Sequence, residues 1–221
     1  MLAVAALMRS ELTLACPPAI WTALLAAGQI HQYPDQAYLG HFGKPLPDVI
    51  MLVEGKIEVS RVGMDGKRHV VAYLRVGQVI GLLTIVDRKG SPEDFRCHGG
   101  VTVLRIPINT VRKLCSEFPE LHQAVLALIC QRARSLYDAM SAHVLLSLQA
   151  RTAWILQSLV AVHGVSPGER QVLNLTISQT AMADLLGVAR QSLNRELKLL
   201  ERAGLLRLAK EQIEILDLPA L

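Results

Sequence analysis

The sequence lacks the residue spacings that most catalytic and metal sites require. Its four cysteines, Cys16, Cys97, Cys115 and Cys130, include no close pair, whereas metal and cluster sites usually take two thiolates from one short loop. Its seven histidines include no His-x-His pair, and there is no Gly-x-Ser-x-Gly elbow or glycine-rich phosphate loop. We therefore predict no catalytic residues and no bound metal, and we expect all four cysteines to be small buried apolar residues.

The apolar amino terminus also lacks the features of an export signal. No basic segment precedes the apolar run, and Arg9 and Glu11 interrupt it. We therefore expect a cytoplasmic protein with no membrane partner. A chain of 221 residues that is 51% hydrophobic has enough apolar side chains for a substantial core, which argues against disorder.

The first half of the chain has the texture of a small antiparallel β domain. Residues 17–29 predict a short helix opened by proline. Residues 30–106 contain β-branched, alternating segments broken by glycines, with an Asp-Gly turn at Asp65. This spacing predicts a compact β-barrel or roll, so the fold class is α+β.

A long helix follows, from about residue 119 to residue 146, after a shorter helix that ends near Pro119. Apolar residues recur along the long helix at alternating intervals of three and four. Such a seam either packs on the chain's own β domain or meets a copy of itself across a two-fold axis, and we favour the second. The seam consists of Leu126, Ile129, Ala133, Leu136, Met140 and His143. Residues 146–149 are the predicted hinge.

The carboxy-terminal third predicts a winged helix-turn-helix. Ser178 is a suitable helix N-cap, and Gly187 ends that first helix with the left-handed residue that a tight turn needs. A second helix runs from Ala189 to about Ala203, and two short strands joined around residues 209–211 form a wing. The predicted inward set of the second helix is Leu193, Leu197, Leu199 and Leu200.

The second helix carries side chains suited to a DNA major groove. Arginine can donate two hydrogen bonds to guanine, and a glutamine amide can pair with adenine, so Arg190, Gln191 and Arg195 are the predicted base-reading residues. Residues 188–210 hold six cations and two anions, a net charge of +4 that equals the charge of the whole chain. A solvated helix face and a winged helix used for protein contacts are the alternatives. The predicted phosphate contacts are Ser178, Gln179, Thr180, Ser192 and Lys198.

Taken in order, a glycine-punctuated β-roll, a long helix and the segment "ISQTAMADLLGVARQSLNRELKLLERAGLL" resemble the Crp/Fnr family of bacterial transcription regulators. The resemblance implies a homodimer on a palindromic operator of double-stranded DNA that affects RNA polymerase recruitment. It implies an effector-type domain over residues 1–118, a dimerisation helix over 119–146 and a DNA-binding domain over 147–221. The family's cAMP receptor protein has glutamate where Gln191 stands, so we expect a different operator base pair there.

The resemblance also argues against cAMP as the effector. Nucleotide-binding members hold the ribose and phosphate with a Gly-Glu-Leu run and a following Arg-Ser pair. Here the first run is Gly81, Leu82 and Leu83, without the carboxylate, and Ser91 and Pro92 stand near the second position. Proline has no amide hydrogen to offer a phosphate. Arg88 and Arg96 lie nearby in the sequence, and a shifted alignment would bring one of them into the pocket.

The cysteine and histidine positions bear on two other sensor chemistries, an iron–sulfur cluster and a haem. An iron–sulfur cluster needs several thiolates, and the amino-terminal region has only Cys16. A haem ligand remains an alternative because His31, His41, His69 and His98 lie in the roll region. An unidentified small effector, or none, is the remaining expectation, with no cofactor predicted and His143 a candidate for pH sensitivity. A β-barrel metalloenzyme is the rival from another class.

Overall fold

The computed structural model describes residues 2–8, 10–14, 16–64, 66, 68–162, 173–175, 179–209 and 212–221. The chain divides into two compact units, residues 1–135 and residues 136–221. The division falls within a long helix, so each unit is described by itself.

The first unit is a β-roll with helices before and after it. The elements are α1 (Leu2–Met8), α2 (Glu11–Leu14), α3 (Pro18–Ala27), β1 (Gln29–Tyr33), β2 (Tyr38–Gly40), β3 (Asp48–Val62), β4 (Arg68–Leu74), β5 (Val79–Ile80), α4 (Leu82–Asp87), β6 (Asp94–Pro107), α5 (Ile108–Glu117) and α6 (Pro119–Leu145). The sheet has the strand order β1-β6-β3-β4, with β2 paired to β6 and β5 paired to β3, and every pairing is antiparallel. This confirms the predicted roll.

The long strands β3 and β6 curve around a glycine. The β3–β6 register shifts on both sides of Glu54, and Gly55 follows with a φ of +96°. A Cβ at Gly55 would lie 2.5 Å from the carbonyl oxygen of Gly100, so no other residue fits without a backbone shift. The bulge lets two strands of 15 and 14 residues stay paired while the sheet closes into a roll.

Two apolar clusters fill the two faces of this sheet. One contains Leu39, Ile57 and Val103. The other joins the sheet to the helices, and it includes Leu7 and Leu24 from the amino terminus. The amino-terminal helices therefore contribute side chains to the core. Pro18 opens α3 as predicted.

Two details of the first unit differ from the sequence predictions. Residues 82–87 form the helix α4, where continued β structure was expected, because Gly81 has a φ of +97° and turns the chain out of β5. Cys16, Cys97 and Cys115 are buried as expected, but Cys130 is exposed on α6, so that prediction is wrong for one of the four.

A buried carboxylate on the roll contacts two arginines and a histidine. Glu58 on β3 is 2% exposed, and its oxygens lie 2.9 Å from Arg96 Nη2, 3.3 Å from Arg68 Nη1 and 2.8 Å from His98 Nε2. Burial raises the pKa of Glu58, but the hydrogen bonds from His98 and Arg96 and the charge of Arg96 outweigh it, so the pKa lies below its ordinary value. The cluster ties together β3, β4 and β6.

The second unit begins in the last part of α6 and has a small core of its own. Its further elements are α7 (Leu148–Val162), β7 (Leu173–Leu175), α8 (Gln179–Leu186), α9 (Arg190–Arg202), β8 (Leu206–Ala209) and β9 (Gln212–Ile215). The strand order is β7-β9-β8. Leu146 and Ser147 connect α6 to α7, within the predicted hinge segment. Among the described residues, no helix has the length and apolar character that crossing a membrane requires.

We expect Glu58→Gln to destabilise the first unit by about 1–3 kcal/mol, because two guanidinium groups lose their buried counter-charge. The stabilisation is present above the unfolded-state pKa of glutamate, about 4.3. This stabilisation is lost as the pH falls through the pKa of Glu58 in the folded state, which is lower than the unfolded-state pKa. Urea unfolding followed by Trp21 fluorescence in a Trp154→Phe background measures it.

Glu54→Gln, at an exposed carboxylate on the same strand, is the matched control and should change stability by less than about 0.5 kcal/mol. Equal effects of the two substitutions at neutral pH would contradict a stabilising role for the Glu58 cluster.

Candidate nucleic-acid interface

A glycine turn sets the angle between α8 and α9. Gly187 has a φ of +65°, and its N–H donates to the carbonyl of Asp184 at 3.2 Å. The N–H of Val188 donates to the carbonyl of Ala183 at 3.0 Å. These bonds satisfy carbonyls at the end of α8 and need a left-handed residue at position 187, which favours glycine. The helix-turn-helix-wing order predicted from the sequence is confirmed.

Three leucines anchor α9 to the core of the second unit. Leu193 and Leu197 have no exposed surface, and Leu200 is 4% exposed. They belong to the same apolar cluster as Leu156 of α7 and Met182 of α8. The prediction was wrong for Leu199, which is 47% exposed, because the apolar stripe of this helix is narrower than expected.

The opposite face of α9 is polar and carries several exposed cations. Arg190, Gln191, Arg195 and Lys198 are exposed, while Ser192 is half-buried. In the part of the chain that the structure describes, none of the three cations forms an ion pair. The predicted base-reading residues therefore share one solvent-facing surface with Lys198.

The amino terminus of α9 adds unpaired backbone donors to this surface. Its N-cap is Ala189, which offers no side-chain hydrogen bond. The first N–H groups of a helix lack intrahelical partners and, with the helix dipole, favour an anion. Two of the predicted phosphate contacts, Gln179 and Thr180, are the first two residues of α8. Gln179 is half-buried and Thr180 is exposed. Ser178 lies outside the described residues.

The wing follows α9 and is tied to it. The N–H of Leu208 on β8 donates to Glu201 Oε1 at 2.8 Å, and β8 pairs with β9 from Leu206 to Ala209. Arg207 Nη1 lies 3.0 Å from Glu214 Oε2. Glu214 lies outside residues 188–210, the segment with a net charge of +4. Arg207 is therefore neutralised locally, and Lys210 lies outside the described residues.

The residues predicted for an effector pocket do not converge. Gly81 precedes α4, Leu82 is buried, and Leu83 is 45% exposed. Ser91 is buried and its hydroxyl donates to the carbonyl of Glu93 at 2.6 Å. Arg88 is exposed and lines a cavity beside α5. Arg96, by contrast, belongs to the Glu58 cluster on the sheet and does not line that cavity, so the structure does not bring the two arginines together there.

Sequence reasoning missed Glu93, which follows the Ser91-Pro92 pair. Burial raises the pKa of its carboxyl, although the nearby charges of Arg132 and Arg61 act to lower it. Arg132 extends from α6 and its Nη2 donates to the carbonyl of Val79 at 2.7 Å. A partly buried acid therefore directly follows the Ser91-Pro92 pair, where the resemblance implies an Arg-Ser pair in nucleotide-binding members.

The predicted seam on α6 is largely solvent-accessible in the single chain. Leu126 is 37%, Leu136 54% and Met140 66% exposed, whereas Ile129 and Ala133 are half-buried. Further exposed apolar side chains on the same helix are Tyr137, Val144 and Leu145. His143 is exposed, and its Nδ1 lies 2.6 Å from Arg151 Nη1.

Comparison with known proteins identifies both units. A family model described as a cyclic nucleotide-binding domain matches residues 30–118, and one described as a Crp-like helix-turn-helix domain matches residues 142–221. The global nitrogen regulator of Synechococcus elongatus is 25% identical over 87% of this chain and 88% of its own length. A CRP-like cAMP-activated global transcriptional regulator of Mycobacterium tuberculosis is 21% identical over 79% of this chain and 78% of its own.

Solved structures share the same fold. FixK2 from Bradyrhizobium japonicum superposes with a TM-score of 0.76 at 17% identity, covering 87% of this chain and 94% of that one. The global regulator CLP of Xanthomonas campestris, described as responsive to c-di-GMP, gives a TM-score of 0.74 at 18% identity, covering 90% and 99%.

Proposed function

Because the chain belongs to the Crp/Fnr family of transcription regulators, we propose that it binds a palindromic operator in double-stranded DNA as a homodimer. The observation that carries this proposal is the exposed set of Arg190, Arg195 and Lys198, which form no ion pair within the described residues, on a helix anchored from its other face. An arginine with no intramolecular partner keeps its planar fork of donors available for a guanine edge.

The contacts on the DNA divide into two classes. Arg190, Gln191 and Arg195 read base edges in the major groove, because they lie on the exposed side of the first two turns of α9. Gln179, Thr180, Ser192 and Lys198, together with Ser178, hold backbone phosphates and set the register. The uncapped amino terminus of α9 supports a further phosphate or base contact nearby.

Dimerisation takes place along α6. The first part of this helix packs on the roll through Leu121 and Val125, while Leu136 and Met140 expose most of their apolar surface. A row of exposed apolar side chains on one helix is stabilised when a second copy covers it, and a two-fold axis brings identical stripes together. Residues 119–146 are thus the dimerisation helix between an effector-type domain and a DNA-binding domain.

The effector-type domain does not use the cyclic-nucleotide chemistry of the family. Leu82 stands where a carboxylate would bind the ribose, and Pro92 offers no amide hydrogen. The half-buried carboxyl of Glu93 would oppose a phosphate in the same region. The effector is therefore another small molecule, or the dimer acts without one. In the family's manner, the bound dimer affects recruitment of RNA polymerase.

We expect Arg190→Ala and Arg195→Ala each to weaken operator binding by about 1–3 kcal/mol per half-site and to relax the base preference at one position. Genome-wide mapping of bound sites supplies the operator, and fluorescence anisotropy against the operator and a scrambled duplex measures both effects. Lys113→Ala, an exposed cation on α5, is the control and should leave affinity unchanged. A loss that is equal for operator and scrambled DNA would contradict base reading.

Gln191 should determine one operator base pair. A glutamine amide both donates and accepts, whereas a carboxylate only accepts and suits the cytosine amino group. We therefore expect Gln191→Glu to change the preferred base at one position of each half-site in a selection from random DNA. An unchanged preferred site would show that Gln191 does not contact a base.

The dimer should depend on the exposed part of α6. We expect Met140→Glu to shift the protein from dimer to monomer in sedimentation velocity, because two carboxylates would face each other in an apolar seam. Its monomer fold should persist, since Met140 is 66% exposed in the single chain. Gln131→Glu, exposed but off the seam, is the control, and an unaltered dimer in Met140→Glu would contradict this assignment.

A further inference from the structure

A side-chain hydrogen bond joins the last turn of α6 to the first turn of α7. His143 Nδ1 lies 2.6 Å from Arg151 Nη1, and both residues belong to the second unit. The connector between the helices is short and bonded on both sides. The N–H of Leu146 donates to the carbonyl of Ala142 at 3.0 Å, and the N–H of Arg151 donates to the carbonyl of Ser147 at 2.9 Å. The His143–Arg151 bond therefore links two helices that follow each other almost directly.

The arginine decides which nitrogen of this bond donates. A guanidinium stays protonated in proteins and has no acceptor, so Arg151 Nη1 donates and His143 Nδ1 accepts. An imidazole accepts at Nδ1 only when the ring is neutral and carries its proton on Nε2, because both nitrogens of an imidazolium are donors. The bond therefore requires a neutral His143. Protonation of the ring would leave two cations facing each other at 2.6 Å.

Two features of its surroundings disfavour Arg151 in this position. The side chain is half-buried, and its Nε is enclosed without a hydrogen-bond partner among the described residues. A buried donor without an acceptor is costly. Arg151 also lies in the first turn of α7, where the helix dipole disfavours a cation. The bond to His143 offsets these costs, so its loss favours movement of the guanidinium into solvent.

The position of His143 allows the ring to be protonated. Its side chain is exposed in the single chain, and it lies in the last turn of α6, where the helix dipole favours a cation. Arg151 of α7 is the charged group in hydrogen-bond contact with the ring. Among the described residues, no acid of α6, α7, α8, α9, β8 or β9 lies within ion-pair distance of it, Asp138 of α6 included. Protonation therefore breaks the bond to Arg151 and makes no new ion pair there.

The helix that carries Arg151 packs behind α9. Leu156 and Val160 of α7 are buried in the same apolar cluster as Leu193 and Leu197 of α9. A helix holds its exposed side chains in a fixed geometry only when the elements behind it are themselves ordered. Loosening of the first turn of α7 therefore weakens the support of α9 from its buried side.

We propose that His143 and Arg151 form a pH-sensitive contact between α6 and α7, which opens when His143 is protonated and thereby weakens operator binding. Histidine is the side chain whose charge ordinarily changes between pH 5 and 8. The contact stabilises the neutral ring, so its stabilisation is present at higher pH and is lost as the pH falls through the titration of His143. The effect on DNA rests on the proposed function, whereas the opening of the contact does not.

Nitrogen-15 NMR of the full chain tests the contact without DNA. At about pH 8 we expect an unprotonated Nδ1 and a protonated Nε2 in His143, together with an Arg151 Nε–H signal that exchanges slowly with water. As the pH falls to about 5.5, protonation of Nδ1 and loss of the Arg151 signal should follow one curve. In His143→Gln the amide oxygen accepts at every pH, so the Arg151 signal should persist throughout. His122→Gln, at an exposed histidine near the start of α6, is the control and should leave the curve unchanged.

Fluorescence anisotropy with the operator at both pH values measures the effect on DNA binding. Between about pH 8 and about pH 5.5 we expect the affinity of the unmodified protein to fall about fivefold more than that of His143→Gln, since one hydrogen bond from a charged group is lost. Arg151→Met, which removes the donor, should also lose this additional pH dependence, and His122→Gln should keep it.

Three results would overturn the proposal. They are a protonated Nδ1 of His143 at the higher pH, an Arg151 Nε–H signal that does not follow the titration of His143, and equal pH dependence of operator binding in His143→Gln and the unmodified protein. A chain that binds no operator at either pH would contradict the proposed function instead. The NMR titration would then still decide whether the contact opens.

Discussion

Burial of the narrow leucine stripe on α9 is the constraint on which the exposed polar face of that helix depends. Leu193, Leu197 and Leu200 are almost fully removed from solvent, which fixes the rotation of the helix about its own axis. Once that rotation is set, Arg190 and Arg195 face outward. Gly187 then fixes where the helix starts, because a left-handed residue turns the chain directly from α8 into α9. A side chain reads a base only if its helix is held rigidly from behind, and apolar burial supplies that rigidity.

The β-roll is stabilised by one buried carboxylate as well as by an apolar core. Glu58 gathers Arg68, Arg96 and His98 from two neighbouring strands. Such a cluster is costly to desolvate and is stable only when its hydrogen bonds are made. It restricts the strand register, because a shift by one residue would turn Glu58 to the other face of the sheet, away from its partners.

The sequence predicted the elements whose signals are local. A glycine at position 187, a heptad-like seam on α6 and alternating strands each follow from spacing along the chain. It did not predict α4, because "IGLLTIVD" is apolar in both helical and β patterns and only the positive φ of Gly81 decides between them. Whether a single residue such as Leu199 or Cys130 is buried depends on how neighbouring elements pack. The spacing of apolar residues along the chain does not encode that packing. The burial of Glu58 and the partial burial of Glu93 were missed for the same reason.

Arginine shows most clearly what the sequence alone could not predict, because the role of an arginine depends on its partner. Arg96 and Arg190 are the same residue type, and the sequence offered both as ligand-binding candidates. In the fold Arg96 is held by a buried carboxylate, Arg112 and Arg132 donate to backbone carbonyls, and Arg207 is matched by Glu214. Such arginines stabilise the fold and are not available for another anion without loss of that contact. Arg190 and Arg195 form no ion pair or side-chain hydrogen bond within the described residues, so their guanidinium groups remain available to an external acceptor.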